Sequence, residues 1–69
     1  MEKSLLIEFF KAHSEGGIGA RIIYDNPSYG ETVLTVKTAP IFGEDSISFI
    51  DAKGEARSVD YASIRKVMP

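Results

Sequence analysis

The sequence predicts an α+β fold, mainly β, in which an N-terminal helix packs on a small five-stranded antiparallel barrel. Three observations predict it. Apolar residues recur with a helical period as far as His13, and with a period of two from Gly19 onward. Turn-forming residues cut the β-rich part at short intervals. Finally, 69 residues without a cysteine give one small domain and no disulfide to staple it.

The helix comes first. Leu5, Leu6, Phe9, Phe10 and His13 form one stripe of a 3.6-residue period, with Glu8, Lys11 and Glu15 on the other side. Ser4 is the expected N-cap and Gly16-Gly17 the expected stop, which sets the helix at about residues 4–14. So short a helix is marginal alone, so its two leucines and two phenylalanines are expected to cover a sheet.

Strands are expected over residues 20–25, 32–39, 45–51, 56–61 and 64–67. The first ends in Asn26-Pro27-Ser28-Tyr29-Gly30, a run of turn formers. The second is β-branched almost throughout and stops at Pro40, which cannot donate to a ladder. Gly54 is placed for the positive φ of a bulged hairpin loop, and Tyr61-Ala62-Ser63 for one tight turn. Alternation selects Leu6, Phe9, Phe10, Ile22, Leu34, Val36, Ile47, Phe49, Val59, Ile64 and Val67 as the inward set.

The stretch Gly54-Glu55-Ala56-Arg57-Ser58-Val59-Asp60-Tyr61-Ala62-Ser63-Ile64-Arg65-Lys66-Val67 resembles the closing part of the small SH3-like and Sm-like barrels of bacteria and phages. There a hairpin strand runs into a 3₁₀ turn, and an isoleucine and a valine close the barrel. The order helix, long hairpin, second hairpin, helical turn and last short strand extends the resemblance to most of the chain. Tyr24-Asp25 resembles the first strand of SH3 domains, yet no tryptophan is present for a polyproline groove. The glycine- and asparagine-bearing motifs of the Sm family are absent too, so its uracil-binding residues are not carried over. By analogy with such barrels, the resemblance implies a small bacterial or phage regulator or inhibitor.

Composition narrows the function classes. Eight Lys and Arg against ten Asp and Glu give a net charge of −2, without the basic stripe of a nucleic-acid binder. The apolar run Leu5 to Phe10 is too short for a span and is interrupted by Glu8, which predicts no membrane partner and a cytoplasmic protein. One histidine and no cysteine leave no thiolate zinc site and no recognisable triad, so no catalytic residue, metal or cofactor is expected. His13 reads as a partly buried residue near the helix C-terminus. Glu44-Asp45 and the pair Asp25 and Glu31 read as solvated turn carboxylates, without the interleaved spacing of a calcium loop. Gly16-Gly17-Ile18-Gly19 follows a helix, the reverse of the order a phosphate loop requires, and reads as a hinge or as a turn that lets the helix fold back across the barrel mouth.

What remains is interaction. A chain of this size buries little surface beyond what ordering costs it, and with disulfides excluded a partner protein or a second copy is the remedy left. The segment Ala39-Pro40-Ile41-Phe42-Gly43 is unusually apolar for a loop, and Tyr29 stands at the other hairpin tip. Tyr29, Pro40, Ile41 and Phe42 are therefore the expected protein interface of a non-catalytic module that binds a partner protein or itself, aided by an unpaired strand edge. Arg57, Arg65 and Lys66 are the candidate anion- or nucleic-acid-binding residues, and alternation could place Arg57 and Arg65 on one face. They carry two alternatives: an Sm-like RNA-binding oligomer, or a binder of a small anionic nucleotide-type ligand at a subunit interface.

Overall fold

A computed structural model of the chain describes residues 1–13 and 16–69. Helix α1 (Lys3–Ala12) precedes strands β1 (Arg21–Asn26), β2 (Gly30–Thr35), β3 (Ile41–Phe42), β4 (Ser46–Ile50) and β5 (Ala56–Asp60). A 3₁₀ turn (Tyr61–Ser63) then leads into β6 (Ile64–Met68). The fold is α+β and mainly β. Among the described residues six strands form two three-stranded antiparallel sheets, β2-β1-β6 and β3-β4-β5, in place of the single five-stranded barrel the sequence predicts.

The difference arises in the β-branched segment expected as one strand over residues 32–39. Its register with β1 runs to Thr35, and Val36, whose N–H still donates to Ala20 C=O at 2.8 Å, is where the chain crosses to the second sheet. Val36 bridges Asp51, Lys37 N–H donates to Ile50 C=O at 2.8 Å, and Ala52 N–H donates to Thr35 C=O at 3.0 Å. At Thr38 the main-chain ladder lapses. The Ile50 N–H is taken by Thr38 Oγ1 at 3.1 Å, and Pro40 has no N–H to offer. Pairing resumes as β3, with Ile41 opposite Ser48 and Phe42 opposite Ile47.

Helix α1 begins one residue before Ser4, with Glu2 in the N-cap position and no side-chain cap bond. It ends at Ala12, because His13 is already extended at φ −123° and donates its N–H to Phe9 C=O at 3.0 Å. The helix therefore stops ahead of Gly16-Gly17, and its expected end at Ser14 lies outside the described residues. Leu6 and Phe10 are the buried positions of α1; Phe9 packs half-buried beside them, and Leu5 is 60% exposed, outside the covering stripe. His13 is exposed rather than partly buried, its ring 4.6 Å from that of Phe9.

The core joins Leu6 and Phe10 to Ala20, Ile22, Leu34, Val36, Ile47, Phe49, Val59, Tyr61 and Ile64. Nine of the eleven residues expected inside are buried, while Phe9 and Val67 pack half-buried at the edge of the core. Ala20 and Tyr61 enter unforeseen. The Tyr61 hydroxyl donates to Gly43 C=O at 2.8 Å, and its N–H donates to Asp45 C=O at 3.0 Å, which locks the β3–β4 turn to the 3₁₀ turn. Phe10 faces Phe42 with ring centroids 5.7 Å apart. The helix therefore covers the end of the second sheet that carries Phe42, and leaves the β4–β5 hairpin tip open.

Candidate functional site

The open end is built by two hairpin tips. In the first, Asn26 Oδ1 accepts the N–H groups of Ser28 and Tyr29 at 2.8 and 3.3 Å, and Gly30 supplies φ +77°. This turn holds Tyr29 up at 84% exposure, and Asn26 Nδ2 donates to the Tyr24 hydroxyl at 3.3 Å. In the second, Asp51 Oδ1 accepts the N–H groups of Lys53 and Glu55 at 2.9 and 3.0 Å, with Gly54 at φ +84°. Asp51 Oδ2 accepts Arg57 Nε at 2.8 Å, and Arg57 Nη2 donates to Glu55 Oε2 at 2.6 Å.

Asp51 is the one charged residue that the fold buries among the described residues, at 2% exposure. Its hydrogen bond from Arg57, helped by the main-chain donors of its own turn, holds the carboxyl below the ordinary carboxylate range against the cost of burial. The same bond raises the Arg57 guanidinium above its usual value. Between the two tips lies a cleft of about 300 Å³, lined by Tyr24, Tyr29, Thr32, Leu34, Lys53 and Arg57 among others. A shallower, mostly apolar groove of about 200 Å³ runs along the second sheet past Thr38, Ile41, Ile50 and Ala56, and Arg57 touches it too.

The expected interface residues divide between these features. Ile41 points outward at 72% exposure into the groove. Phe42, its neighbour, packs half-buried against Phe10, and Pro40 is half-buried. Tyr29 belongs to the cleft and not to the Ile41 groove. The basic candidates do not form one patch either. Arg57 is in register with Phe49 and is held by Asp51 and Glu55, whereas Arg65 pairs with Asp25 at 2.5 Å on the other sheet. Lys66 is exposed opposite Ile23. The strand bulge between Ile23 and Tyr24 is the reason: it leaves Arg65 as the extra residue of β6 and turns it toward Asp25.

By sequence Asp51 stands only at the end of an expected strand and is given no role. Its signal was there in Asp51-Ala52-Lys53-Gly54, a turn in which an aspartate can accept main-chain N–H groups, with Arg57 six positions on. Among the described residues no group of three or more His, Cys, Asp or Glu side chains could hold a metal ion, and no helix is long and apolar enough to cross a membrane. Comparison with known proteins finds no family model, no curated protein and no solved structure that matches this chain.

Proposed function

We propose that this chain is a small, non-catalytic protein-binding module on an SH3-like scaffold, engaging a partner protein or a second copy of itself. The scaffold reading is supported by the segment that crosses between the sheets at Val36 and by the 3₁₀ turn placed ahead of the last strand. The observation that carries the binding reading is Ile41. It lies 72% exposed on a sheet whose outer strand β5 has no neighbour beyond β4 among the described residues. Ile41 stands two strands from that edge, in the row Ile41, Ser48 and Ser58, on a groove that reaches Ala56 of β5. The edge offers main-chain bonds for affinity and the groove a side-chain contact for selectivity.

A photo-crosslinking amino acid at position 41, introduced in living cells, tests the reading. It is expected to give a discrete crosslinked species, another copy or a different protein, that the same group at exposed Glu8 does not give. Equal labelling from the two positions overturns it.

One observation favours a second reading, a small anionic ligand: Tyr24, Tyr29, Lys53 and Arg57 all line the cleft. Two carboxylates already occupy Arg57, which weakens its pull on a phosphate. A rise in melting temperature across a nucleotide panel would select this reading over the first.

A further inference from the structure

Among the described residues four strands lie at sheet ends, β2, β3, β5 and β6. Strand β3 is two residues long, and β2 is met at Thr35 C=O by Ala52 N–H. That leaves β5 and β6 to compare, and they are not equivalent. The bonds Asp51 N–H to Glu55 C=O (2.9 Å) and Tyr61 N–H to Asp45 C=O (3.0 Å) fix which residue pairs of this hairpin bond directly. Antiparallel alternation then has Arg57 and Val59 bonding to Phe49 and Ile47 on β4. Ala56, Ser58 and Asp60 are left with their main-chain groups turned to the open side. The Asp60 carbonyl is taken by Ser63 Oγ at 2.9 Å; its N–H, and both groups of Ala56 and Ser58, face outward without a strand to meet them among the described residues.

Side chains leave this edge clear. Ala56 and Ser58 are small and exposed, and the long side chain of Arg57 is drawn away by Asp51 and Glu55. Register along β4 and β5 is unbroken from Ser46 opposite Asp60 to Ile50 opposite Ala56. Strand β6 has the opposite character. It carries exposed Arg65 and Lys66 and is distorted by a bulge, devices that keep an edge from pairing.

Resting on the protein-binding reading above, we infer that β5 is the docking edge and that its occupant is β5 of a second copy, paired antiparallel about a two-fold axis at Ser58. A two-fold axis through the sheet pairs residues that point to the same face. Centred on Ser58, it uses the whole of β5 and sets Ser58 against Ser58, Ala56 against Asp60 and Arg57 against Val59. No like charges meet. The Ser58 N–H of each copy donates to the Ser58 carbonyl of the other, and the Asp60 N–H donates to the Ala56 carbonyl. The two β3-β4-β5 sheets become one continuous sheet. The corresponding axis at the centre of β6 would set Lys66 against Lys66.

Because the chain has no cysteine, Ser58→Cys reports this contact alone. Directly opposed residues of a bonded antiparallel pair have Cα atoms about 5.5 Å apart, within disulfide range. The wild-type protein is expected at twice the 7.6 kDa chain mass in sedimentation at millimolar concentration. Ser58→Cys is expected to oxidise to a covalent dimer. Ser58→Pro, which deletes an N–H that faces away from β4, is expected to restore the single-chain mass with an unchanged circular dichroism spectrum. Should that proline variant unfold, Ser58→Cys, close in size to serine, still decides. A wild-type protein that stays at single-chain mass overturns the inference, and crosslinking of a different protein from position 41 would then leave the protein-binding reading standing. A doubled mass without Ser58→Cys crosslinking also overturns it, and places self-association elsewhere on the surface.

Discussion

The Asp51 carboxylate accepts Arg57 Nε at 2.8 Å with one oxygen and two main-chain N–H groups of its own hairpin turn with the other. Turn and strand are thereby tied together at the rim of the cleft. An exposed ion pair contributes little to stability, but here one partner is buried and fully bonded. The pair fixes the Arg57 side chain on the inner side of its strand, which keeps the outer edge of β5 free.

Replacing Asp51 tests that role. Asp51→Ala leaves two N–H groups and the Arg57 guanidinium without their acceptor and is expected to lower the melting temperature by about 10 °C. Asp51→Asn keeps the turn acceptor while losing the charge, so a smaller drop is expected. Thermal unfolding followed by circular dichroism separates the two, and equal drops would assign the whole effect to the charge and its bond with Arg57.

Acid should expose the same group. Its pKa lies lower in the folded chain than the ordinary value of 3.8, so the unfolded chain takes up the proton more readily. The stabilisation is therefore complete above that ordinary value and is lost as pH falls through the lower folded value. Melting temperatures measured from pH 6 down to about pH 2 should converge for wild type and Asp51→Asn at the acid end.

Much of this arrangement was legible in the sequence. The change of apolar period at Gly19 separates helix from strands, and alternation identifies Ile22, Leu34, Val36, Ile47, Phe49 and Val59 as inward without any tertiary knowledge. The strand break at Thr38 was not legible, because β-branched residues favour extension whichever sheet receives them. Only the competition of Thr38 Oγ1 for the Ile50 N–H shows where the ladder lapses. Arg57 and Arg65 looked equivalent as charges near one hairpin. Their separation depends on a bulge in β6 and on the burial of Asp51, both of which are set by long-range pairing.

Gly17 carries a steric prediction. It has φ +86°, and a Cβ there would stand 2.9 Å from the Phe10 ring. Gly17→Ala is expected to cost about 3 kcal/mol, combining left-handed backbone strain with overpacking. Gly19→Ala has the same strain at φ +89° but open space around it, so about 1 kcal/mol is expected. Urea unfolding of the two variants measures the difference, which is the contact with Phe10.

Tyr61 joins core to turn through one hydroxyl. Tyr61→Phe preserves the buried ring and removes the donor to Gly43 C=O, at an expected cost of about 1 kcal/mol. Burial, with the charge of Asp45 adding to it, raises the Tyr61 pKa above its ordinary 10.0. The folded state therefore holds this proton longer than the unfolded one. Stability should decline once pH exceeds the ordinary tyrosine value, and Tyr61→Phe should decline less over the same interval.

Ile41 and Phe42 are adjacent in sequence and opposite in role, which gives the sharpest separation of folding from binding. Phe42 faces Ile47 across the ladder and packs on Phe10, so Phe42→Ala is expected to cost about 3 kcal/mol through the cavity it leaves. Ile41 faces Ser48 on the outer side at 72% exposure, so Ile41→Lys is expected to change stability by less than about 0.5 kcal/mol. The same lysine puts a charge into the apolar groove beside the open edge. It should therefore abolish the species crosslinked from exposed positions on β5 while leaving the melting curve in place. If Ile41→Lys destabilises the fold as much as Phe42→Ala does, Ile41 belongs to the core and the binding surface loses its principal residue.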